Sequence, residues 1–217
     1  MFFLGHMAWA YIWAMMLAGK LRGKLFIHTV LMFGVVPDVD ILLQGFGVVH
    51  HTFTHSLFFW LVMFAPFFAV FGRKLIPYFV AVAQHFVFED FLVGKVMMFW
   101  PFSLSYFGFH ITMPSILDVA LEIAGLLLAA AVAYFSGDLK RLLSLDTQNS
   151  LMFLPFLALV TSMLFYAVDW PIIPLIAYVG SSHLLATLVW AHIVLTIFLA
   201  VSTAQGLRNL FKPRDRN

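Results

Sequence analysis

Long apolar segments recur along this chain, and they constrain its fold more than any other feature. A run of about 20 apolar residues is long enough to cross the hydrocarbon core of a bilayer as an α-helix. Backbone polar groups inside a bilayer must be satisfied within the segment, so runs of this kind fold as helices. Composition agrees, because 63% of the residues are hydrophobic and only 10% are charged. The sequence therefore predicts an all-α fold, a polytopic transmembrane helical bundle.

Glycine and proline residues divide the apolar segments into about seven helices. The predicted helices are His6–Gly19, Leu25–Val36, Thr54–Phe71, Leu75–Val93, Ile116–Phe135, Leu151–Val168 and Ser182–Gln205. The second of them is about 18 Å long and cannot span a bilayer before Pro37 interrupts it. Irregular backbone at that depth must line a cavity or pack against protein, so Pro37–Asp40 is predicted to be a cavity floor. We expect residues 1–217 to form a single transmembrane domain.

The positions of the basic residues predict the orientation of this bundle. With the N-terminus outside, eleven of the twelve basic residues fall on one side of the membrane and only Lys95 on the other. The eleven are Lys20, Arg22, Lys24, Arg73, Lys74, Lys140, Arg141, Arg208, Lys212, Arg214 and Arg216. The positive-inside rule makes that side cytoplasmic. We therefore expect a multi-pass protein of the cell membrane with its C-terminus in the cytoplasm.

The basic residues also limit the classes of partner and of N-terminal segment. They cluster beside apolar runs and form no stripe, so we expect no nucleic-acid partner. At the N-terminus the charges at Lys20, Arg22 and Lys24 follow the apolar run, which is the reverse of a cleavable signal peptide. We expect that run to remain as the first membrane helix.

A histidine-rich stretch marks the candidate site. His50, His51 and His55 lie within six residues, immediately before an apolar run that begins at Leu57. Imidazole is the commonest transition-metal ligand, and carboxylates lie nearby in Val36–Asp40 and His85–Asp90. The chain has no cysteine, so any metal must be held by His, Asp and Glu. Zinc, manganese and magnesium are all compatible with such ligands.

Depth in the membrane supports co-localisation of these groups. The depth of each residue follows from its separation in sequence from the cytoplasmic end of its helix, at about 1.5 Å per helical residue. These depths are roughly 21 Å for His6, Asp38 and Glu122, roughly 17 Å for His85, roughly 23 Å for Glu89 and roughly 27 Å for His55. Residues from five helices are thus predicted to share one layer in the outer half of the bilayer.

Two closely spaced pairs of ionisable residues favour a metal ion over a purely structural role. Asp38 and Asp40 have no nearby cation in the sequence and would repel each other unless a metal or shared proton intervened. The alternative is that one of them caps the following helix. His85 and Glu89 stand four residues apart, a common spacing for two ligands of one ion, although a lone histidine is more often a packing residue. Glu89 or Asp90 can instead act as a general base or support a ligand.

Spacing alone does not decide between His50 and His51 as ligand. His51 stands four residues before His55, which favours it if the helix begins early. Thr52 and Thr54 are candidate N-caps, and a start at Thr54 removes that preference. His6 is a candidate ligand by depth only. Four residues expected on the same side are treated as substrate-side or structural: His110, Asp118, Glu122 and His183.

The order of these motifs resembles the YdjM/DUF457 family of membrane-bound, predicted metal-dependent hydrolases. The matching motifs are Gly5-His6, Pro37–Asp40, His50–Ser56, His85–Glu89, and Gly94 with Trp100-Pro101. The match covers residues 5 to about 101, so residues 1–101 are the family-like metal-site part and residues 102–217 add helices. The resemblance selects His50 as ligand, because His51 occupies the place of the family's arginine. Glu89 stands where the family has aspartate.

The family is more remotely similar to zinc-dependent phospholipase C and P1 nuclease, which implies a clustered zinc site and phosphoester hydrolysis. We therefore predict a hydrolase that uses metal-activated water on a lipid or lipid-linked phosphoester at the outer leaflet. Asp40 or Asp90 would accept the proton, and His51 would contact the substrate. A metal-ion or proton transporter is the alternative. The predicted ligands of a divalent metal, zinc first, are His6, Asp38, Asp40, His50, His55, His85 and Glu89.

Overall fold

The computed structural model describes residues 3–21, 25–111, 115–142, 147–157 and 183–211, and these residues are mostly helical and form no strand. The α-helices are α1 Phe3–Leu21, α2 Ile27–Val35, α3 Leu57–Phe71, α4 Ile76–Gln84, α5 Asp90–Val93, α6 Ile116–Ser136, α7 Asp138–Leu142 and α8 His183–Leu210. Short 3₁₀ segments cover Val36–Phe46, Phe53–His55, Gly72–Leu75 and Thr147–Met152, and His85–Glu89 is a π-helix. The predicted helix Leu151–Val168 falls mostly outside the described residues.

Helix α1 lies at the centre of the bundle and packs against α2, α4 and α6. Gly34 near the end of α2 and Gln84 at the end of α4 both lie beside His6, so these two helices run antiparallel to α1. Glu122, early in α6, accepts a hydrogen bond from the backbone N–H of Gly5 at 2.6 Å. Helix α6 therefore runs parallel to α1.

Helices α3 and α4 form a hairpin that turns at Gly72. This glycine has φ 55°, a left-handed conformation that suits a residue without Cβ. The ring of Phe79 lies 5.4 Å from the ring of Phe64 and 5.8 Å from that of Phe68. Along a straight helix Phe64 and Phe79 would be about 22 Å apart. The helical stretch Leu57–Val93 is thus two antiparallel arms.

Three helical stretches of the described residues are long and apolar enough to cross a membrane: Leu57–Val93, Ile116–Ser136 and Val189–Leu210. In the first, only 11% of the apolar window is buried, so its side chains face outward, as lipid contact requires. The count is lower than the seven membrane helices predicted. Helix α2 has nine residues and is only about 14 Å long.

Candidate metal centre

All the predicted site residues converge at one end of the bundle. They come from α1, the 3₁₀ segment Val36–Phe46, the turn at residues 50–55 (the histidine-rich turn), the π-helix and α5. They are His6, Asp38, Asp40, His50, His51, His55, His85, Glu89 and Asp90. Each belongs to a group of histidines and carboxylates whose ligand atoms lie within 4.8 Å of one another. The predicted co-localisation of these residues is therefore present in the structure.

The chain after α2 places two carboxylates inside this cluster. Helix α2 ends at Val35, and the backbone continues as a tighter 3₁₀ segment from Val36 to Phe46. Asp38 and Asp40 follow Pro37 and are both buried. This segment is thus a 3₁₀ helix and not the irregular backbone predicted from Pro37, and it contributes both carboxylates to the cluster.

The histidine-rich turn precedes α3 instead of opening it. Ser56 is the N-cap of α3, since its Oγ accepts a hydrogen bond from the N–H of Phe59 at 3.4 Å. The predicted caps Thr52 and Thr54 are not used in that way. Because the α-helix begins after the histidines, helical spacing gives no preference to His51.

Loop 94–111 braces the turn from outside. The N–H of Met97 donates to the carbonyl of His51 at 3.0 Å, and the N–H of Leu57 donates to the carbonyl of Met98 at 2.9 Å. The hydroxyl of Ser56 donates to the carbonyl of Trp100 at 2.6 Å. His51 has φ 64°, an uncommon conformation for a residue with a side chain, and these contacts hold it there.

The π-helix changes which acidic residue aligns with His85. A π turn takes about one residue more than an α turn, so residues five apart lie on one face. His85 and Asp90, five apart, both direct side chains into the same four-residue group. Glu89 turns instead toward α1, where its Oε2 lies 2.7 Å from Nδ1 of His6.

Four atoms define the centre of the cluster. Nε2 of His85 lies 3.1 Å from Oδ1 of Asp38 and 3.0 Å from Oδ2 of Asp90. Nε2 of His55 lies 3.4 Å and 3.2 Å from the same two oxygens. All four residues are buried. Two imidazoles and two carboxylates therefore surround a single point.

Hydrogen bonds at Nδ1, on the far side of each ring from the centre, determine the tautomers of His55 and His85. Nδ1 of His85 lies 2.7 Å from the carbonyl of Gly34, which only accepts, so Nδ1 carries the proton. The hydroxyl of Thr54 donates to Asp40 at 2.6 Å and so accepts from Nδ1 of His55 at 3.1 Å. In the neutral rings both Nε2 atoms then carry lone pairs directed at the centre.

This arrangement fits a divalent cation. Four lone-pair atoms converge, and Nε2 of His55 and Oδ2 of Asp90 are buried with no hydrogen-bond partner among the described residues. Zinc bonds of about 2.0–2.1 Å place tetrahedral ligand atoms about 3.3 Å apart, close to the separations observed here. The hydrogen bonds on the far side of each imidazole are those that orient histidine ligands of metals.

Asp40 and His50 lie behind this centre. Oδ1 of Asp40 accepts from Nδ1 of His50 at 2.8 Å, which turns Nε2 of His50 toward Oδ1 of Asp38 at 3.9 Å. Burial would raise the pKa of Asp40, but the hydrogen bond from His50 and the nearby imidazole of His55, whose Nδ1 lies 3.4 Å away, outweigh burial and hold the pKa well below the ordinary value. Asp40 is thus an ionised group that orients histidines.

His51 lies nearest the outside of the cluster. Its Nε2 is 3.8 Å from Oδ2 of Asp90, and 17% of its side chain is exposed, against 9% for His50. Burial lowers the pKa of His51, and the neighbouring His50 lowers it further. Nε2 of His50 and Nε2 of His51 lie at similar distances, 3.9 Å and 3.8 Å, from Oδ1 of Asp38 and Oδ2 of Asp90 respectively, but only His50 is hydrogen-bonded to Asp40.

The four residues that the sequence suggested as substrate-side or structural lie outside the cluster. His110 and His183 are exposed, and Glu122 holds the first turn of α1 through Gly5. Asp118 is buried in the first turn of α6. Sequence reasoning missed two members of the site, the hydroxyl of Thr54 and the backbone carbonyl of Gly34. The position of Thr54 beside His55 was its only signal.

No family model, curated protein or solved structure matches this chain. The arrangement of its own side chains therefore carries the functional proposal.

Proposed function

We propose that this protein is a membrane-embedded, metal-dependent hydrolase of the kind that the YdjM/DUF457 resemblance suggests. One observation carries the proposal: Nε2 of His55 and Nε2 of His85 each lie 3.0–3.4 Å from both Oδ1 of Asp38 and Oδ2 of Asp90, and the Nδ1 protons of both histidines are donated elsewhere. A divalent cation bound there, zinc first, supplies Lewis acidity that polarises an ester and activates water.

The surroundings of the cluster favour a lipid or lipid-linked phosphoester. The cluster lies at the end of the bundle, where apolar side chains are exposed beside it in the segments that carry Phe46, Val49, Phe102 and Phe109. A substrate with an acyl or isoprenoid chain can rest on such side chains while its headgroup reaches the cluster. Phosphate oxygens suit a site of imidazoles and metal.

The side chains at the centre of the cluster and next to it have separate roles in this proposal. His55, His85, Asp38 and Asp90 hold the cation. Asp40 and Thr54 orient the histidines, and His51 contacts the substrate at the outer edge. Asp90 lies among the converging atoms, so ligand binding is its first role and proton acceptance, predicted from sequence, a second.

The proposed topology places this end of the bundle at the outer leaflet. Helix α1 brings His6 to the cluster with its first turn and ends at the exposed Lys20. Exposed Arg73 and Lys74 lie at the turn of the α3–α4 hairpin, opposite the ends of the two arms that carry the cluster. The positive-inside rule then puts the N-terminus outside and the C-terminus in the cytoplasm.

Metal analysis of purified protein tests the proposal. We expect His55→Ala, His85→Ala and Asp38→Asn each to lose bound metal and hydrolysis of a lipid phosphoester together, because removal of one ligand opens the shell. Bound metal is measured by elemental mass spectrometry, and hydrolysis by release of water-soluble phosphate from detergent-solubilised lipids.

Two histidines outside the cluster provide matched controls. His28 is buried and His183 is exposed, so His28→Ala and His183→Ala control for loss of a buried and a surface imidazole. Both should retain metal and activity. Full metal content in two of the three ligand variants would contradict the assignment.

Transport of a metal ion or proton is a second candidate, and one observation favours it. The described part of the bundle buries more polar side chains away from the cluster than the sequence led us to expect: His28, Asn149, His192, Ser202 and Thr203. Buried polar groups within a membrane mark ion pathways as well as catalytic sites. Metal-dependent flux in sealed vesicles, without hydrolysis of any tested phosphoester, would favour transport.

A further inference from the structure

The loop that braces the histidine-rich turn doubles back on itself and has an apolar tip. The backbone N–H groups of Val96 and Phe107 each donate to the other residue's carbonyl at 2.9 Å, and these two bonds close the base of the loop. The loop tip, residues 97–106, contains no Asp, Glu, Lys or Arg. Its side chains project outward, with 75% of Phe102 and 69% of Leu104 exposed. Exposed apolar groups gathered in this way mark a contact surface.

The loop tip lies beside the first turn of α3. The N–H of Leu57 donates to the carbonyl of Met98 at 2.9 Å. One residue further into α3, the ring of Phe58 lies 4.6 Å from the ring of Phe102, edge to face. Phe58 is itself exposed and belongs to the helical stretch whose side chains face outward. The apolar surface of the loop tip therefore continues the lipid-facing surface of a membrane helix.

The length of the two arms places this contact inside the bilayer. Exposed Arg73 and Lys74 mark the opposite membrane edge, at the turn between the arms. Helix α3 has 15 residues and rises only about 22 Å from that turn, whereas the hydrocarbon core is about 30 Å thick. On the other arm, the N–H of Phe109 donates to the carbonyl of Phe91 at 2.7 Å, at a height of about 23 Å above the start of α4. Both attachments of the loop thus lie below the surface of the core, and tilt of the helices would lower them further.

The backbone of the loop tip is suited to that depth. The N–H of Trp100 donates to the carbonyl of Met97 at 3.1 Å. The N–H groups of Phe102 and Ser103 donate to the carbonyl of Phe99 at 2.9 Å and 3.1 Å. Non-helical backbone is tolerated at membrane depth where its polar groups are paired and it packs against protein.

We propose that the loop tip is immersed in the acyl region of the leaflet on the cluster side, with lipid chains lying against Phe99, Phe102 and Leu104. The proposal concerns contact with the bilayer and is the same whether the metal centre hydrolyses an ester or moves an ion. Lipid chains are then separated from the histidine-rich turn only by the loop tip, since the N–H of Met97 donates to the carbonyl of His51.

Spin labels on single cysteines test this proposal, because the chain has no cysteine of its own. The full-length protein is placed in phosphatidylcholine nanodiscs, and collisions of the label with oxygen and with a water-soluble nickel chelate are measured by electron paramagnetic resonance. Oxygen concentrates among acyl chains, whereas the chelate stays in water. We expect labels at Phe102→Cys and Leu104→Cys to give an oxygen-to-nickel collision ratio several-fold higher than a label at Lys140→Cys in α7. The ratio should approach that of Val62→Cys, an exposed position within α3.

The other outcomes each overturn the proposal. Frequent nickel collisions at both positions of the loop tip, as at Lys140, would place the tip in water. Few collisions with either reagent would show that protein, such as a second copy of the chain, covers the tip. The label at Leu104 decides the matter if Phe102→Cys does not fold. Neither metal nor ester hydrolysis enters the measurement, so a negative result would leave the proposed function in place.

Discussion

At the scale of single residues, the proposed metal centre depends on which ring nitrogen of each histidine carries the proton. His85 donates to the carbonyl of Gly34, and His55 donates to Thr54, which donates in turn to Asp40. The path from His55 to Asp40 passes through a hydroxyl, which accepts and donates at once. Orientation of His55 therefore depends on a residue that itself touches no ion.

Removal of this hydroxyl should weaken metal binding without abolishing it. Thr54→Val has the same shape but neither accepts from His55 nor donates to Asp40. We expect the affinity for Zn²⁺ to fall about 10–100-fold, the usual effect of losing a group that orients a ligand. Competition against a fluorescent chelator measures the affinity.

The matched control for this change is Thr54→Ser, which keeps the hydroxyl and should bind Zn²⁺ with nearly wild-type affinity. A loss in Thr54→Ser as large as that in Thr54→Val would show that the methyl group, through packing, matters more than the relay.

At the scale of helices, the close approach of α1 and α2 is what brings His6 to the other ligands. A Cβ at Gly34 would lie 2.6 Å from the carbonyl oxygen of His6 and 2.7 Å from Cβ of Ala10. The same glycine carries the carbonyl that binds His85. Small residues allow membrane helices to pack at this distance.

A single methyl group at Gly34 should therefore disturb both stability and the site. We expect Gly34→Ala to lower stability by about 1–3 kcal/mol, since the neighbouring atoms include backbone that cannot move aside. Metal affinity should fall as well, because His6 and the Gly34 carbonyl shift together. Thermal unfolding in detergent, followed by tryptophan fluorescence with and without Zn²⁺, measures both effects.

Gly19→Ala on α1 is the control, because nothing lies within 4 Å of a Cβ there. Alanine favours helix over glycine, so this variant should be as stable as the wild type or slightly more stable. Equal stability of Gly34→Ala and Gly19→Ala would contradict the close-packing argument.

The helices also show which features of the site could be predicted from the sequence alone. The site residues could be found because ionisable groups are expensive in apolar helices and so stand out. The shift from Glu89 to Asp90 could not be foreseen, since a π turn within α4–α5 has no pattern of its own. The cap at Ser56 depends on Trp100, a contact between distant segments.

At the scale of the whole molecule, the ends of the bundle differ in chemistry. One end holds the histidine and carboxylate cluster under loop 94–111, and the other holds exposed basic residues such as Lys74, Lys140 and Arg208. The number of membrane spans was the weakest prediction at this scale. The length of an apolar run predicts a membrane-spanning helix, whereas packing against other helices decides whether a short helix such as α2 crosses the bilayer.

Cysteine labelling tests the proposed orientation, and the chain contains no cysteine of its own to interfere. We expect Gly47→Cys, on the cluster side, to react with a membrane-impermeant maleimide in intact cells. Lys140→Cys, in α7, should react only after the cells are opened, because the positive-inside rule places it in the cytoplasm. The reverse labelling pattern would invert the proposed topology.

The central position of α1 has a consequence for synthesis of the protein. Helix α1 is made before α2, α4 and α6, which pack against it, and Glu89, the partner of His6, lies 83 residues further along the chain. The imidazole of His6, which can stay neutral, thus enters the bilayer before the carboxylates of Glu89 and Asp90, which enter when His6 and His55 are already present. Two of the four carboxylates of the cluster therefore arrive at a place that already holds histidine partners.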